Sequence, residues 1–257
     1  MKYKKIVLLA GKGESTNIVF NSINKRFDVF SAIIEEKEDT KTFLKRRVRR
    51  LGIISVFGQI LFQILIAKPL DIFSKNRKKE IINDNSLDLS EIPNEKINAV
   101  ESVNSETTIV LLKKINPDIV IVNGTRIISK KVLESVNCKF INIHAGITPK
   151  YRGVHGTYWA LVNNDIKNSG VTVHFVDSGI DTGIIINQAS VIPKKEDNFS
   201  TYPLLQLSEG LKILNKTIQD LMDNSLVTQE EKLTESILWY HPTIWKYLFY
   251  RITKGVK

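Results

Sequence analysis

The sequence predicts an α/β fold with a mostly parallel sheet and helices on both faces, because short continuous apolar runs alternate with amphipathic stretches along most of the chain. Residues 4–10, KKIVLLA, lack the polar alternation of a half-exposed strand and end in the Gly-rich turn GKGEST, so they read as a strand buried on both sides. Ser15 or Thr16 can cap a helix whose apolar face is Ile18, Val19, Phe20 and Ile23, and FDVFSAIIEE then supplies a second strand, completing a βαβ unit. The same order returns at INAVESV (strand), TTIVLLKKIN (helix), PDIVIVNG (strand), SKKVLESVN (helix) and KFINIHAG (strand). SGVTVHFVDSGIDTG holds a strand of period two, with Val171, Val173 and Phe175 on one face, and GIIINQASVIP gives another that pairs with it. Residues 199–222, rich in Leu, read as an amphipathic closing helix.

A chain of 257 residues with 42% apolar and 25% charged residues is a globular protein of ordinary composition, which excludes wholesale disorder, collagen-like repeats and a disulfide scaffold. The expected organisation is one catalytic-sized domain over 1–222, carrying an insertion at about 41–96, and an extension over 223–257. The apolar stretch near the start is too short for a secretion signal and is followed by Gly and charge, and Cys138 is the single thiol, so a cytoplasmic, reducing compartment is expected. Cys138 reads as a small buried side chain rather than a nucleophile, which would need a paired base.

The net charge of +10 points to an anionic partner. Between Lys41 and Leu70 there is no acidic residue, while Lys41, Lys45, Arg46, Arg47, Arg49, Arg50 and Lys68 are basic and surround the apolar run LGIISVFGQILFQILIAKPL. Leu44, Val48 and Leu51 recur at helical spacing, so an amphipathic helix leading into an apolar one is the simplest structure. Three readings stay open: a helical insertion packed on the domain or on a second copy in a homodimer, a peripheral contact of 41–70 with an anionic membrane, and, least favoured, nucleic acid. Ser55, Gln59, Gln63 and Lys68 speak against a spanning helix. Residues 74–96, polar and rich in Asn, read as a surface loop.

Asn142, His144 and Asp181 form the strongest constellation. In INIHAG the first two are two residues apart at a strand end and share a face, and Asp181 returns in the Gly-flanked turn DSGIDTG. An amide that donates to a developing oxyanion, an imidazole that moves protons and a carboxylate that orients it suit acyl transfer. His174, among apolar neighbours, reads as a core or cleft-edge histidine. The spacings of His144, His155, His174 and Asp181 match no familiar ligand pattern, so no metal is expected. The turn GKGEST, with Gly11, Lys12, Gly13 and Ser15, is either a plain tight turn or a phosphate cradle, and its spacing is not that of a Walker loop.

The stretch FINIHAGITPKYRGVHGTYWALVNNDIKNSGVTVHFVDSGIDTGIIINQASV closely resembles the tetrahydrofolate-dependent formyltransferases, among them glycinamide ribonucleotide transformylase, methionyl-tRNA formyltransferase and the nucleotide-sugar N-formyltransferases. The resemblance rests on Asn-x-His at 142 and 144, on the Pro-x-x-x-Gly turn from Pro149 to Gly153 and on the Asp of IDTG, and covers about 1–35 and 97–222. It implies a Rossmann-like fold of the formyltransferase type, with Asn142, His144 and Asp181 catalytic and with Arg126, Ile127, Ile128 and Asp177 at the folate. It also places Gly11, Lys12, Gly13, Ser15, Tyr151, Arg152 and His155 at the substrate, with His155 open between contact and scaffold.

The implied activity is transfer of a formyl group from N10-formyltetrahydrofolate, a cosubstrate, to a primary amine, with Asn142 and protonated His144 stabilising the oxyanion. The resemblance suggests a nucleotide-linked amino sugar of surface polysaccharide as the amine, because the residues after 222 are too few for the separate C-terminal domain of the transfer-RNA enzymes. Glycinamide ribonucleotide is the alternative acceptor, and a formyltetrahydrofolate hydrolase or a membrane-peripheral binding protein are the rival functions. For the tail aromatics Trp239, Tyr240, Trp245 and Tyr247, packing or dimerisation is preferred to a stacking surface for substrate.

Overall fold

A computed structural model describes residues 4–229 and 235–257; residues 1–3 of the expected domain and 230–234 of the expected extension lie outside the described residues. The strands are β1 (Ile6–Gly11), β2 (Val29–Glu35), β3 (Ile97–Val100), β4 (Ile119–Asn123), β5 (Lys139–His144), β6 (Arg152–Gly153), β7 (Gly170–Phe175), β8 (Ile185–Ser190) and β9 (Leu238–Trp239). The helices are α1 (Glu14–Phe27), α2 (Thr40–Leu51), α3 (Ile53–Phe62), α4 (Lys68–Phe73), α5 (Lys75–Asp84), α6 (Glu106–Ile115), α7 (Lys130–Leu133), α8 (Gly156–Val162), α9 (Tyr202–Met222) and α10 (Ile244–Lys254).

Seven strands form one sheet in the order β3-β2-β1-β4-β5-β7-β8. The first five are parallel, with Leu8 of β1 opposite Ala32 and Ile121, and β7 and β8 run antiparallel at one edge. Alternate residues of each strand feed two cores, as a sheet covered on both faces requires. Ile6, Leu8, Ile121 and Ile141 pack under α1 and α9 through Phe20, Ile23, Leu214 and Ile218. Val7, Leu9, Val120 and Val122 pack under α6 and α7 through Ile109, Leu112 and Val132. The βαβ order read from the sequence therefore holds, except that α1 begins at Glu14 with Gly13 as its cap, so Ser15 and Thr16 lie within the helix and do not cap it.

The segment after β2 departs from the sheet. Asp39 caps α2 by accepting from the Thr42 N–H at 2.9 Å, and α3 runs through a π-helical turn at Gln63–Ala67 into α4, which carries Pro69 just after that turn. The amphipathic-then-apolar helical order expected here is found. Residues 74–96 differ from the surface loop expected: α5 occupies 75–84, and only its C-terminal remainder is irregular, apart from a short 3-10 turn at Asn94–Lys96. One buried position, Ile81, and the Arg77 guanidinium on Asp197, at 2.8 and 3.2 Å, are what hold α5 down. A helix anchored by a single apolar side chain leaves no 3.6-residue period to read.

A third, aromatic cluster joins this segment to the C-terminal tail: Phe62, Tyr151, Tyr158, Phe199 and Tyr247 are buried together, with the Phe62 and Tyr247 rings 5.1 Å apart. Gly58 on α3 lets the Trp245 indole of α10 lie against the helix, since a Cβ there would meet the ring at 2.2 Å. Trp239 stacks on Trp159 at 4.7 Å, so Trp239 and Tyr247 pack rather than offer a free stacking surface. We expect Phe62→Ala to lower the unfolding free energy by about 3–5 kcal/mol, and Phe57→Ala, whose ring is 58% exposed, by less than about 0.5 kcal/mol. Urea unfolding followed by circular dichroism checks the pair, and equal effects would mean that the insertion is not packed as described.

Candidate active site

The loops after β1, β4 and β5 emerge at the carboxyl end of the parallel strands, where open α/β sheets place their ligands. A cavity of about 410 Å³ lies beside the last two, and Arg126, Ile127, Ile128, Asn142, His144, Asp177 and Asp181, all singled out from the sequence, line it. β5 delivers Asn142 and His144 to one side, and the antiparallel β7 sets His174 directly opposite Asn142. The turn between β7 and β8 brings Asp181 over both.

The hydrogen bonds define the protonation pattern. His144 Nε2 is 2.8 Å from the Tyr151 carbonyl, which can only accept, so Nε2 carries the proton and the bare Nδ1 is left 3.4 Å from Asp181 Oδ2. Gly146 permits this approach, because a Cβ there would sit 2.2 Å from the Tyr151 oxygen and 2.8 Å from His144 Nε2. His174 Nδ1 donates to the Phe175 carbonyl at 2.7 Å, and its Nε2 accepts from Asn142 Nδ2 at 3.2 Å. The same amide nitrogen also donates to Asp181 Oδ1 at 3.4 Å. The Gly153 N–H donates to Asp181 Oδ2 at 2.9 Å, and Asp181 sits at a φ of +52°, a conformation sparsely adopted by side-chain-bearing residues and costly unless neighbours impose it.

Burial pushes the Asp181 carboxyl up, but His144, His174 and the Gly153 N–H outweigh it and hold the group at about 2. Burial also pushes the His144 imidazole below its ordinary 6.5, against the opposing charge of Asp181. Burial thus favours the neutral ring of His144. Neutral His144 offers the Nδ1 lone pair, and a proton taken up there faces a carboxylate, which offsets the desolvation of the imidazolium. The trio can thus accept one proton and present an amide donor in the same small volume.

Other expected residues hold the walls rather than the cavity. The Arg126 guanidinium turns away to the Glu36 carbonyl at 2.7 Å, the Glu101 carbonyl at 3.0 Å and Glu35 at 3.2 Å. The Asp177 carboxylate builds its own turn, accepting from the Gly179 N–H at 3.0 Å and the Thr182 hydroxyl at 2.8 Å. Tyr151 is fully buried and its phenol donates to Asp165 at 2.9 Å, which corrects its expected place at the substrate: only its carbonyl faces the site. Arg152 donates to the Ile180 carbonyl at 3.1 Å and so ties its loop to that of Asp181. The His155 ring turns toward Phe199 and His241, 2.9 Å from the latter, and acts as scaffold. Gly11, Lys12, Gly13 and Ser15 do not line the cavity, although Gly11 lies against the Gly124 carbonyl at its rim and Ser15 receives Asn123 Nδ2 at 3.4 Å. Cys138 is partly buried, and burial pushes its thiol up to about 12, far from a nucleophile's range.

Two residues at the site were not among those singled out for it from the sequence: His174, read as a core or cleft-edge histidine, and Glu35. His174 belongs to the site, and only the antiparallel register of β7 on β5 reveals it. Glu35, 5% exposed at the end of β2, accepts from the N–H groups of Val103 at 3.1 Å and Arg126 at 2.6 Å, and so orders the loops after β3 and β4. An acid ending an apolar strand was its only signal.

Residues 71–216, more than half of the chain, match the family model described as formyl transferase. The chain belongs to the formyl transferase family. The match takes in α5 and the residues up to β3, the second half of the stretch read from the sequence as an insertion. Methionyl-tRNA formyltransferase of Clostridium tetani is 38% identical over 128 residues, 49% of this chain and 40% of that protein. The chain matches less than half the length of the curated relatives to which it is similar. Glycinamide ribonucleotide transformylase 1 from Symbiobacterium toebii superposes with a TM-score of 0.57 at 20% identity, covering 93% of this chain and 96% of that one. The N-formyltransferase from Helicobacter canadensis, solved with folinic acid and dTDP-3-aminofucose, superposes with a TM-score of 0.54 at 20% identity, covering 91% and 70%. At such identities the structural likeness is one of fold, and it matches the formyltransferase-type sheet expected from the sequence.

In this formyl transferase family member, we expect the His144 ring to titrate below 6.5, and Asp181→Asn, which removes the opposing charge, to lower the midpoint further. Histidine resonances followed by NMR across the acid range check both signs. A midpoint at or above 6.5 would contradict the buried, neutral ring.

Proposed function

We propose that this protein transfers a formyl group from N10-formyltetrahydrofolate to a primary amine. The observation that carries the reading is the convergence of Asn142, His144 and Asp181 on one cavity at the carboxyl end of the parallel sheet, in a member of the formyl transferase family. The folate supplies an activated formyl carbon: the amine nitrogen bonds to it, its bond to N10 breaks, and the amine proton passes to the departing nitrogen. The cavity suits a flat heterocycle, because Val122, Ile128 and Val176 give apolar walls and the backbone of 124–128 borders them.

The chain's own groups divide the work. The Asn142 amide holds long bonds, 3.2 and 3.4 Å, that can give way to a better acceptor when negative charge develops on the formyl oxygen. His144 Nδ1 takes the amine proton, and Asp181 stabilises the charge that results. His174 presents a lone pair to the Asn142 amide and so keeps its nitrogen, not its oxygen, toward Asp181.

For the acceptor we favour a nucleotide-linked amino sugar. Its support is the fold shared with an N-formyltransferase solved with dTDP-3-aminofucose and with a sugar 3N-formyl transferase solved with dTDP. A second reading, an amine carried on transfer RNA, is favoured by the names of the curated relatives.

The test follows folate release by absorbance, with N10-formyltetrahydrofolate and a panel of nucleotide-linked amino sugars, methionyl-tRNA, glycinamide ribonucleotide and a control without acceptor. We expect turnover with an amino sugar. We expect His144→Ala to lower kcat/KM by about 10²–10⁴, and Cys138→Ala, remote from the cavity, to leave it unchanged. Turnover with methionyl-tRNA or glycinamide ribonucleotide alone would reassign the acceptor, turnover without any acceptor would mean a hydrolase, and no turnover at all would overturn the reading.

A further inference from the structure

Two acid-free stretches of the sequence meet in space. Lys41–Leu70 holds seven bases and no Asp or Glu, and Ser236–Lys257 holds Lys246, Arg251, Lys254 and Lys257, again with no acid. They pack on each other through Trp245 on Gly58 and Tyr247 on Phe62, Arg47 of α2 donates to Gln59 of α3 at 2.7 Å, and α4 continues α3 in one helix, so α2, α3, α4 and α10 are contiguous.

The face they present is both apolar and cationic. The helix from Ile53 to Phe73 is long and apolar enough to cross a membrane, and most of it is not buried in the domain. Ile53, Ile54, Phe57, Ile64, Leu65 and Phe73 are each at least half exposed, and Phe249 and Ile252 of α10 add to them at 59% and 83%. Such a concentration of bare apolar side chains marks a binding surface rather than a water-facing one. Lys45, Arg49, Arg50 and Lys68 are exposed beside it and make no ion pair among the described residues.

The chemistry of the face selects its occupant. A second copy docked across a two-fold axis would set these bases against themselves. A nucleic acid would neutralise the bases but leave Ile53, Phe57 and Leu65 in water. A bilayer with anionic headgroups satisfies both parts, because apolar side chains enter the acyl boundary while the cations stay at the phosphates. The helix does not span: Val56, Gln59 and Phe62 form a buried line along it, and Gln59 bonds to Arg47 at 2.7 Å and to the His241 carbonyl at 2.8 Å, which holds it flat on the domain. We infer that the face built by α2, α3, α4 and α10 docks in the plane of an anionic lipid bilayer, independently of the reaction proposed above.

The test floats the full chain with vesicles of phosphatidylcholine alone and of phosphatidylcholine with phosphatidylglycerol at three to one. We expect flotation with the anionic vesicles only, declining as salt is raised, and a blue shift of tryptophan emission that Trp245→Phe reduces. The double variants Phe57→Glu with Leu65→Glu, and Lys45→Gln with Arg49→Gln, are each expected to weaken partitioning by roughly tenfold or more, with unchanged circular dichroism because all four side chains stand in water. Should a variant not fold, the vesicle and salt series on the unaltered chain decides alone. Absence of flotation, or flotation indifferent to vesicle charge and salt, overturns the inference. A dimer broken by Phe57→Glu with Leu65→Glu and no flotation gives the face to a second copy. Transfer RNA retained through Lys45 and Arg49 without flotation gives it to nucleic acid, and a chain released from vesicles only by detergent would be a spanning one.

Discussion

The backbone of residues 145–156 is the constraint on which the site depends. One loop holds both ends of the proton-handling pair, since the Tyr151 carbonyl fixes His144 Nε2 and the Gly153 N–H fixes Asp181 Oδ2. The 3.4 Å between Nδ1 and Oδ2 is thus set by peptide geometry across three residues. The loop is anchored in turn by the Tyr151 phenol on Asp165, by the pairing of Arg152 and Gly153 with β9, and by the Gly156 N–H on the Ala145 carbonyl at 3.1 Å. Groups held in place before reaction need no rearrangement when charge develops, which is where such sites derive most of their effect.

Two buried carboxylates contribute to that rigidity in different ways. A buried charge is costly unless hydrogen bonds and opposite charge surround it. Asp181 accepts from the Gly153 N–H and the Asn142 amide, which offset the cost of burying its charge. Glu35 has the N–H groups of Val103 and Arg126 and the Arg126 guanidinium, so its charge positions two loops and takes no part in the chemistry. The Arg126 side chain is therefore committed to the wall, and the cavity sees the backbone, the part of this run expected at the folate, with the Ile127 and Ile128 side chains beside it.

The sheet was legible because its strands are buried on both faces, and an uninterrupted run such as IVLLA or IVIVN, closed by Gly within a few residues, is too short for a core helix and too apolar for an exposed strand. Asn142 and His144 were legible because a strand's period of two puts both on one side, and Asp181 because Gly residues flank it. His174 was not, since its role rests on which residue of β5 lies across from it, a property of register and not of local sequence. α5 was missed because its stability comes from Ile81 and the Arg77–Asp197 pair, contacts more than a hundred residues apart in the second case. Tyr151 was misplaced for the opposite reason: its position beside the site is correct, but the chain uses its carbonyl and buries its ring.

The insertion and the tail are not appendages to this arrangement. Phe62 of α3 and Tyr247 of α10 share a core with Tyr151, and a polar chain runs from Arg47 through Gln59 to the His241 carbonyl and from the His241 ring to His155. Burial and the Arg47 charge hold His241 at about 4, and burial with both neighbours holds His155 well below its ordinary value, so both rings are neutral near pH 7. His241 Nδ1 lies 3.1 Å from Gln63 Nε2 and 2.9 Å from His155 Nε2. β9, just before α10, is paired with Gly153, whose N–H donates to Asp181. The helices α3 and α10 and the loop that fixes the carboxylate in the cavity are therefore built on one aromatic core.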